Sequence, residues 1–203
     1  MRHGSLHATL GLTVLAALIV SGISPYDRPT WWLEVSPVLI AAPLLLASYR
    51  RFPLTDLLYW LIALHCLVLI LGGAYTYARV PAGFWVQELL DLARNPYDKL
   101  GHFMQGFVPA LIAREILLRG GFLAAGRMLA FLSLCVAMAI SAVYELIEWA
   151  VALIAGGGAV DFLGTQGDPW DTQADMFWAL IGASTGLLGL ARLQDRQIAQ
   201  LRP

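Results

Sequence analysis

His102 stands four residues after Asp98 and three before Gln105, so on a helix all three project from one face. Glu145 and Glu148 form a second polar pair, one turn apart inside the apolar run SAVYELIEWAVAL. Asp171 and Asp175 form a third, four apart at the start of the last apolar segment. Imidazoles and carboxylates are the side chains that bind divalent cations and that pass protons. One imidazole among several carboxylates suits magnesium, manganese or zinc. Such an ion would polarise a phosphoryl or carbonyl oxygen and activate water. On this chemistry His102, Glu148, Asp171 and Asp175 are the expected metal ligands. His102, Asp98, Glu145 and Glu148 are the expected catalytic acid–base groups. Lys99, Gln105 and Trp170 are expected to contact substrate, Lys99 through an anionic head group.

Each residue also has a plainer reading. Asp98 would cap the helix it opens, and His102 would bond to it. Asp168 before Pro169 reads as an N-cap followed by proline in the first turn, and Asp171 adds negative charge at the same helix end. Capping does not reach Asp175, which lies deeper. Glu145 and Glu148 are too short to reach the interface, and an unpaired carboxylate in the membrane is unfavourable by several kcal/mol or more. Asp161 belongs to the same acidic segment, GGGAVDFLGTQGDPWDTQADMF, which has no basic residue. Glu34 begins a span on the same side and could join the group. His65, in the middle of a span, is expected to bond to a neighbour. Arg114 and Glu115 are expected to be ordinary solvated charges at a span's inner end.

The elements that must position these groups follow from composition. The chain has 203 residues, 59% hydrophobic and 13% charged, with a net charge of −1 and a mean hydropathy of +0.68. Soluble domains are about 45–50% apolar and about 25% charged. An integral membrane protein is expected, and the charge gives no sign of nucleic-acid binding. Cys66 and Cys135 both lie in apolar runs, which argues against a disulfide framework and against a CxxC metal knuckle. A transmembrane helix needs about 20 apolar residues. Six stretches qualify: 6–24, 32–49, 57–77, 100–118, 128–155 and 172–190. No strand-like alternation and no internal repeat is present. The expected architecture is therefore an all-α, polytopic bundle of six transmembrane helices forming one domain over residues 1–203. The segment after Arg2 resembles a signal peptide. It lacks a small-x-small cleavage site in VSGISPYDRP, so a retained first span is expected.

Basic residues set the orientation. With the N-terminus in the cytoplasm, the inner side holds Arg2, Arg50, Arg51, Arg114, Arg119, Arg127, Arg192, Arg196 and Arg202. The outer side then holds Arg28, Arg79, Arg94 and Lys99, a bias of nine to four. Both termini are expected inside. Trp31, Trp32, Trp85 and Trp170 fall at the outer interface, and Tyr49 and Tyr59 near the inner one. In AGFWVQELLDLARN, Gln87, Glu88, Asp91 and Arg94 share a helical face opposite Phe84, Trp85, Leu89 and Leu92. That suits a short interfacial helix at about residues 82–94; a loop helix packed on the protein is the alternative. Asp171 and Asp175 share a face with Ala179, Gly182, Gly186 and Gly189, small residues that let helices approach closely. That face is expected to turn inward. Asp98, His102, Glu145, Glu148, Asp171 and Asp175 would then meet in one outer-leaflet pocket.

The motifs YDKLGHFMQGFVPA, YELIEWAVA and DFLGTQGDPWDTQADM resemble those of the YjdF-like family of bacterial inner-membrane proteins. The resemblance covers most of the chain after about residue 20. A more distant similarity joins Asp98, Lys99, His102 and Phe103, with Asp175 and Gly182, to the VanZ-like family. That family often has asparagine near the later aspartate, where this chain has Met176 and Phe177. The resemblance implies a multi-pass protein of the bacterial inner (cytoplasmic) membrane and no particular reaction.

Three functional readings stay open. One is a metal-dependent membrane enzyme acting on an amphiphilic substrate such as a phospholipid, a polyprenyl carrier or a glycopeptide precursor. Membrane lipids would be its surroundings and partners. No HExxH, serine elbow or nearby cysteine marks a known hydrolase. A second is a transporter or a lipid- or drug-binding protein, since paired acids also couple protons and cations. A third is a polar staple that merely locks three helices together.

Overall fold

The computed structural model describes residues 2–155 and 166–201, so Asp161 lies outside the described residues. The helices are α1 (Arg2–Ile23), α2 (Arg28–Ser48), α3 (Asp56–Tyr75), α4 (Pro81–Leu89), α5 (Tyr97–Arg119), α6 (Arg127–Ala155) and α7 (Asp171–Leu201), with a 3₁₀ turn at Tyr77–Arg79. No strand occurs among the described residues. Five helices, α1, α2, α3, α6 and α7, are long and apolar enough to cross a membrane. Large apolar side chains such as Leu12, Ile40, Trp60, Ile147 and Leu188 point outward from all five.

The remaining expected span, 100–118, corresponds to α5, which is not apolar enough to join that group. Its position explains its composition. α5 is the hub of the bundle, packed against α3, α6 and α7. It buries Asp98, His102, Arg114 and Glu115 together with Met104, Val108 and Leu111. A helix shielded from lipid by its neighbours can carry charge that a peripheral span cannot.

The closest packing is between α5 and α7, and small residues make it. A Cβ at Gly106 would collide with the carbonyl of Ala179, and one at Gly182 with the carbonyl of Phe103. The expected inward stripe is present: Asp171, Asp175, Ala179, Gly182 and Gly186 are buried. It ends there, because Gly189 is exposed with open space around it. α7 also runs beyond the expected end at 190 to Leu201. Its last turns are polar but held, because Gln194 is buried and donates from Nε2 to the carbonyl of Leu111, 2.9 Å away.

Hydrogen bonds across the ends show an up-and-down arrangement. At one end the start of α1 meets the end of α2 and the start of α3: His7 Nδ1 lies 2.9 Å from Tyr49 Oη and Nε2 2.7 Å from Asp56 Oδ1. At the other end Trp31 Nε1 donates to Ser21 Oγ at 3.0 Å, and Tyr26 N to the carbonyl of Ala74 at 2.9 Å. Trp31 is therefore core, not interface; Trp32, Trp85 and Trp170 are exposed as expected.

The short helix α4 stops at Leu89, and Asp91 follows with φ 49°, a left-handed conformation that ends the helix. Asp91 and Arg94 are therefore not on its polar face, contrary to the expectation of a helix through 94. Phe84, Trp85 and Leu89 are exposed, so α4 presents its apolar residues outward rather than to the protein. α7 begins at Asp171, so Asp168 is not its immediate cap. It instead accepts from Trp170 N at 2.9 Å, two residues on.

Candidate functional site

α5, α6 and α7 deliver the expected groups to one end of the bundle. Asp98, His102, Glu145, Glu148, Asp171 and Asp175 are all buried. Around the imidazole, Nε2 lies 3.5 Å from Asp98 Oδ1 and 3.9 Å from Asp175 Oδ2, and Nδ1 lies 3.6 Å from Glu145 Oε1. One ligand atom each from Asp98, His102 and Asp175 fall within 4.8 Å of one another. These three form the geometric cation group. Glu148 and Asp171, expected as ligands, stand on either side of it: Glu148 on a neighbouring cavity, Asp171 in an ion pair with Arg94.

The separations are informative. They exceed the usual hydrogen-bond range of about 2.7–3.2 Å. Ligands on a tetrahedral ion with bonds of about 2.0–2.1 Å would sit about 3.3–3.4 Å apart; the Nε2–Asp98 separation of 3.5 Å is near this and the Nε2–Asp175 separation of 3.9 Å is longer. Asp98 Oδ2, Glu145 Oε1 and Asp175 Oδ1 are buried without a hydrogen-bond partner among the described residues. Buried carboxylate oxygens are normally satisfied, so this group is incomplete as a hydrogen-bonded unit.

Gln105 orients the imidazole. Its Oε1, an acceptor, lies 3.1 Å from His102 Nδ1, and the other neighbour of Nδ1 is the Glu145 carboxylate. In the neutral tautomer with Nδ1 donating to these acceptors, Nε2 holds the lone pair. That lone pair faces Asp98 and Asp175. Nε2 must hold either a proton or a cation there, because a bare lone pair against two carboxylates is repulsive. A ligating histidine fixed by a hydrogen bond at its other nitrogen is the usual design of metal sites.

Several residues were not legible as site residues. Arg94 pairs with both Asp168, at 3.1 Å, and Asp171. Tyr144 donates to Glu34 Oε2 at 3.2 Å, bringing α2 into the group. Its place one turn before Glu148 in the apolar run of α6 was an available signal. Tyr77, in the 3₁₀ turn, had none. Of the expected substrate contacts, Gln105 lines the cavity, Lys99 is half-buried outside it, and Trp170 is exposed away from it.

The cavity has a volume of about 220 Å³. Glu34, Asp98, His102, Tyr144 and Glu148 line its polar part, and Val38, Ile62, Leu69, Val108, Ile112 and Ile140 are among its apolar walls. His65 also lines it, with Nε2 buried and unpartnered, so it does not bond to a neighbour as expected.

The opposite end of α5 is different. Glu115, expected to be solvated, is fully buried. It accepts from Thr55 N at 2.9 Å, Thr55 Oγ1 at 2.8 Å, Arg119 at 2.7 Å and Gln194 Nε2 at 3.2 Å. Arg114 reaches Gln194 Oε1 at 3.0 Å and Asp195 at 2.6 Å. This is a completed polar staple of α3, α5 and α7. The sequence missed it because charge at a span's end reads as solvated until a partner from another helix covers it.

A family model described as "Predicted membrane protein (DUF2238)" matches residues 6–196. The chain belongs to this family. The inner membrane protein YjdF of Escherichia coli (strain K12) is 62% identical over 190 residues, covering 94% of this chain and 91% of the relative. No solved structure matches. The resemblance seen in the motifs is thus shown, and with it a multi-pass membrane protein.

Proposed function

We propose that the chain is an inner-membrane protein that holds a divalent cation on Asp98, His102 and Asp175 and uses it on an amphiphilic substrate. The observation that carries this reading is His102 Nε2 facing two carboxylates that each keep an oxygen without a partner among the described residues. Glu145 stands beside Nδ1 and adds charge on the other side of the ring. The ion, most suitably zinc or manganese with one imidazole and two carboxylates, would act as a Lewis acid on a polar head group. The adjoining cavity supplies a polar end beside His102 and an apolar end for a chain. The completed staple around Glu115 supports the reading by contrast: where this bundle uses polar groups only to hold helices, it satisfies them.

Elemental analysis of the purified protein in detergent tests it. About one equivalent of a divalent metal per chain is expected, with loss in His102→Ala and in Asp175→Asn. Metal-free wild type that also fails to take up zinc or manganese on dialysis would remove the site. The proposal includes α5 as a sixth crossing, with both termini on the cytoplasmic side, which the bias in basic residues favours.

A further inference from the structure

The cavity holds polar groups that the cation group leaves unused. Glu34 and Glu148 line it from α2 and α6, and neither belongs to the Asp98–His102–Asp175 group. Tyr77 and Tyr144 line it beside them. Asp98, only 9% exposed, also lines the cavity, and its Oδ2 has no partner. Among the lining residues the only nitrogen bases are His65 and His102. Arg94 and Lys99 do not line it. The cavity is thus acidic and aromatic at one end and apolar at the other.

The tyrosine at this site is placed at a cost. Thr76, a β-branched residue, adopts φ 52°, a strained conformation that persists only where the surroundings enforce it. It turns the chain so that the Tyr77 ring lies in a slot between α3 and α5, where a Cβ at Gly72 or at Gly101 would strike the ring. Burial, then Glu34 and Asp98, push the Tyr77 phenol well above its ordinary range and keep it uncharged. An uncharged aromatic ring beside carboxylates attracts cations through its face and repels anions.

We propose that this cavity binds the ammonium group of a cationic amphiphile, seated among Glu34, Glu148, Tyr77 and Tyr144. The proposal names the class of amphiphile that the functional reading leaves open, and it stands on residues outside the metal group. An anionic head would meet the Glu34 and Glu148 carboxylates of α2 and α6, and among the described residues no lysine or arginine lines the cavity to offset them. A cation offsets the mutual repulsion of those carboxylates and supplies the countercharge that buried carboxylates need. The volume, about 220 Å³, is below the roughly 300–1,000 Å³ of drug-sized sites. It admits a head group and a short apolar body, not two acyl chains.

Isothermal titration calorimetry of the full chain in a nonionic maltoside detergent tests this with hexyltrimethylammonium, hexanol and hexyl sulfate. Saturable binding of the ammonium alone is expected, and it persists after chelation with EDTA. Glu34→Gln and Glu148→Gln each weaken it by about tenfold, the scale of one desolvated cation contact. Equal behaviour of the three probes on the wild type overturns the proposal, whether or not the variants fold. So does loss of ammonium binding on EDTA treatment, or unchanged affinity in both folded variants. Metal content, measured on the same samples, reports separately on the Asp98–His102–Asp175 group.

Discussion

At the scale of the residue, the proposed cation chemistry rests on His102 Nε2, with Gln105 beside the other ring nitrogen. On the proposed reading, an ion bound at Nε2 between Asp98 and Asp175 takes the place of a proton there. Metal binding should therefore release about one proton per ion. Calorimetry with zinc in buffers of different ionisation enthalpy reads that number directly, and zero release would mean that Nε2 is not a ligand. Gln105→Leu removes the acceptor at Nδ1 without touching the ligand atoms. Metal affinity should fall by about 10–100-fold, the usual effect of losing such an orienting bond, and competition with a chromophoric chelator measures it.

At the scale of the element, α5 is held by two different devices. Gly106 and Gly182 permit backbone contact with α7 near the cation group, and Glu115 ties the other end to α3 and α7. Gly106→Ala places a methyl against the carbonyl of Ala179. Overpacking of this kind is destabilising by about 1–3 kcal/mol, and the forced separation moves Asp98 and His102 away from Asp175. A lower melting temperature in detergent together with reduced metal content is expected. Glu115→Ala should be destabilising by about 3–5 kcal/mol, because it removes the buried acceptor shared by Thr55, Arg119 and Gln194. Since Glu115 lies at the far end of the helix, the folded fraction should keep its metal. Parallel loss of metal and stability in Glu115→Ala would show that the two ends are not independent.

At the scale of the whole molecule, the bundle is an up-and-down array with α5 near its centre and outward apolar faces on the other long helices. The His7–Tyr49–Asp56 contacts lie at one end with Glu115, and the cation group lies at the other with Arg94 and Asp171. On the proposed orientation, drawn from the basic bias of nine to four, the Glu115 end faces the cytoplasm. An alkaline phosphatase fusion after residue 203 should be inactive, and one near residue 90, beside α4, should be active. The reverse pattern would invert the molecule and put the cation group at the cytoplasmic face.

The membrane class, the helical fold and the meeting of Asp98, His102, Glu145 and Asp175 in one buried group were legible in the sequence. Hydropathy marks spans because a lipid-exposed helix must be apolar, and three-to-four residue spacing puts Asp98 with His102, and Asp171 with Asp175, on single faces. The small-residue stripe of α7 read correctly through Gly186, because backbone contact with a neighbour requires the absence of side chains. What the sequence could not carry were contacts between helices distant along the chain. Glu115 and Arg114 looked solvated until Thr55 and Gln194 were brought to them, and Tyr77 looked like the end of a span until a left-handed Thr76 turned it into the cavity. The division of the acids among the His102 group, an Arg94 ion pair and a cavity wall was decided by tertiary structure alone. Equal burial and equal helical spacing leave the carboxylates indistinguishable until their neighbours are known.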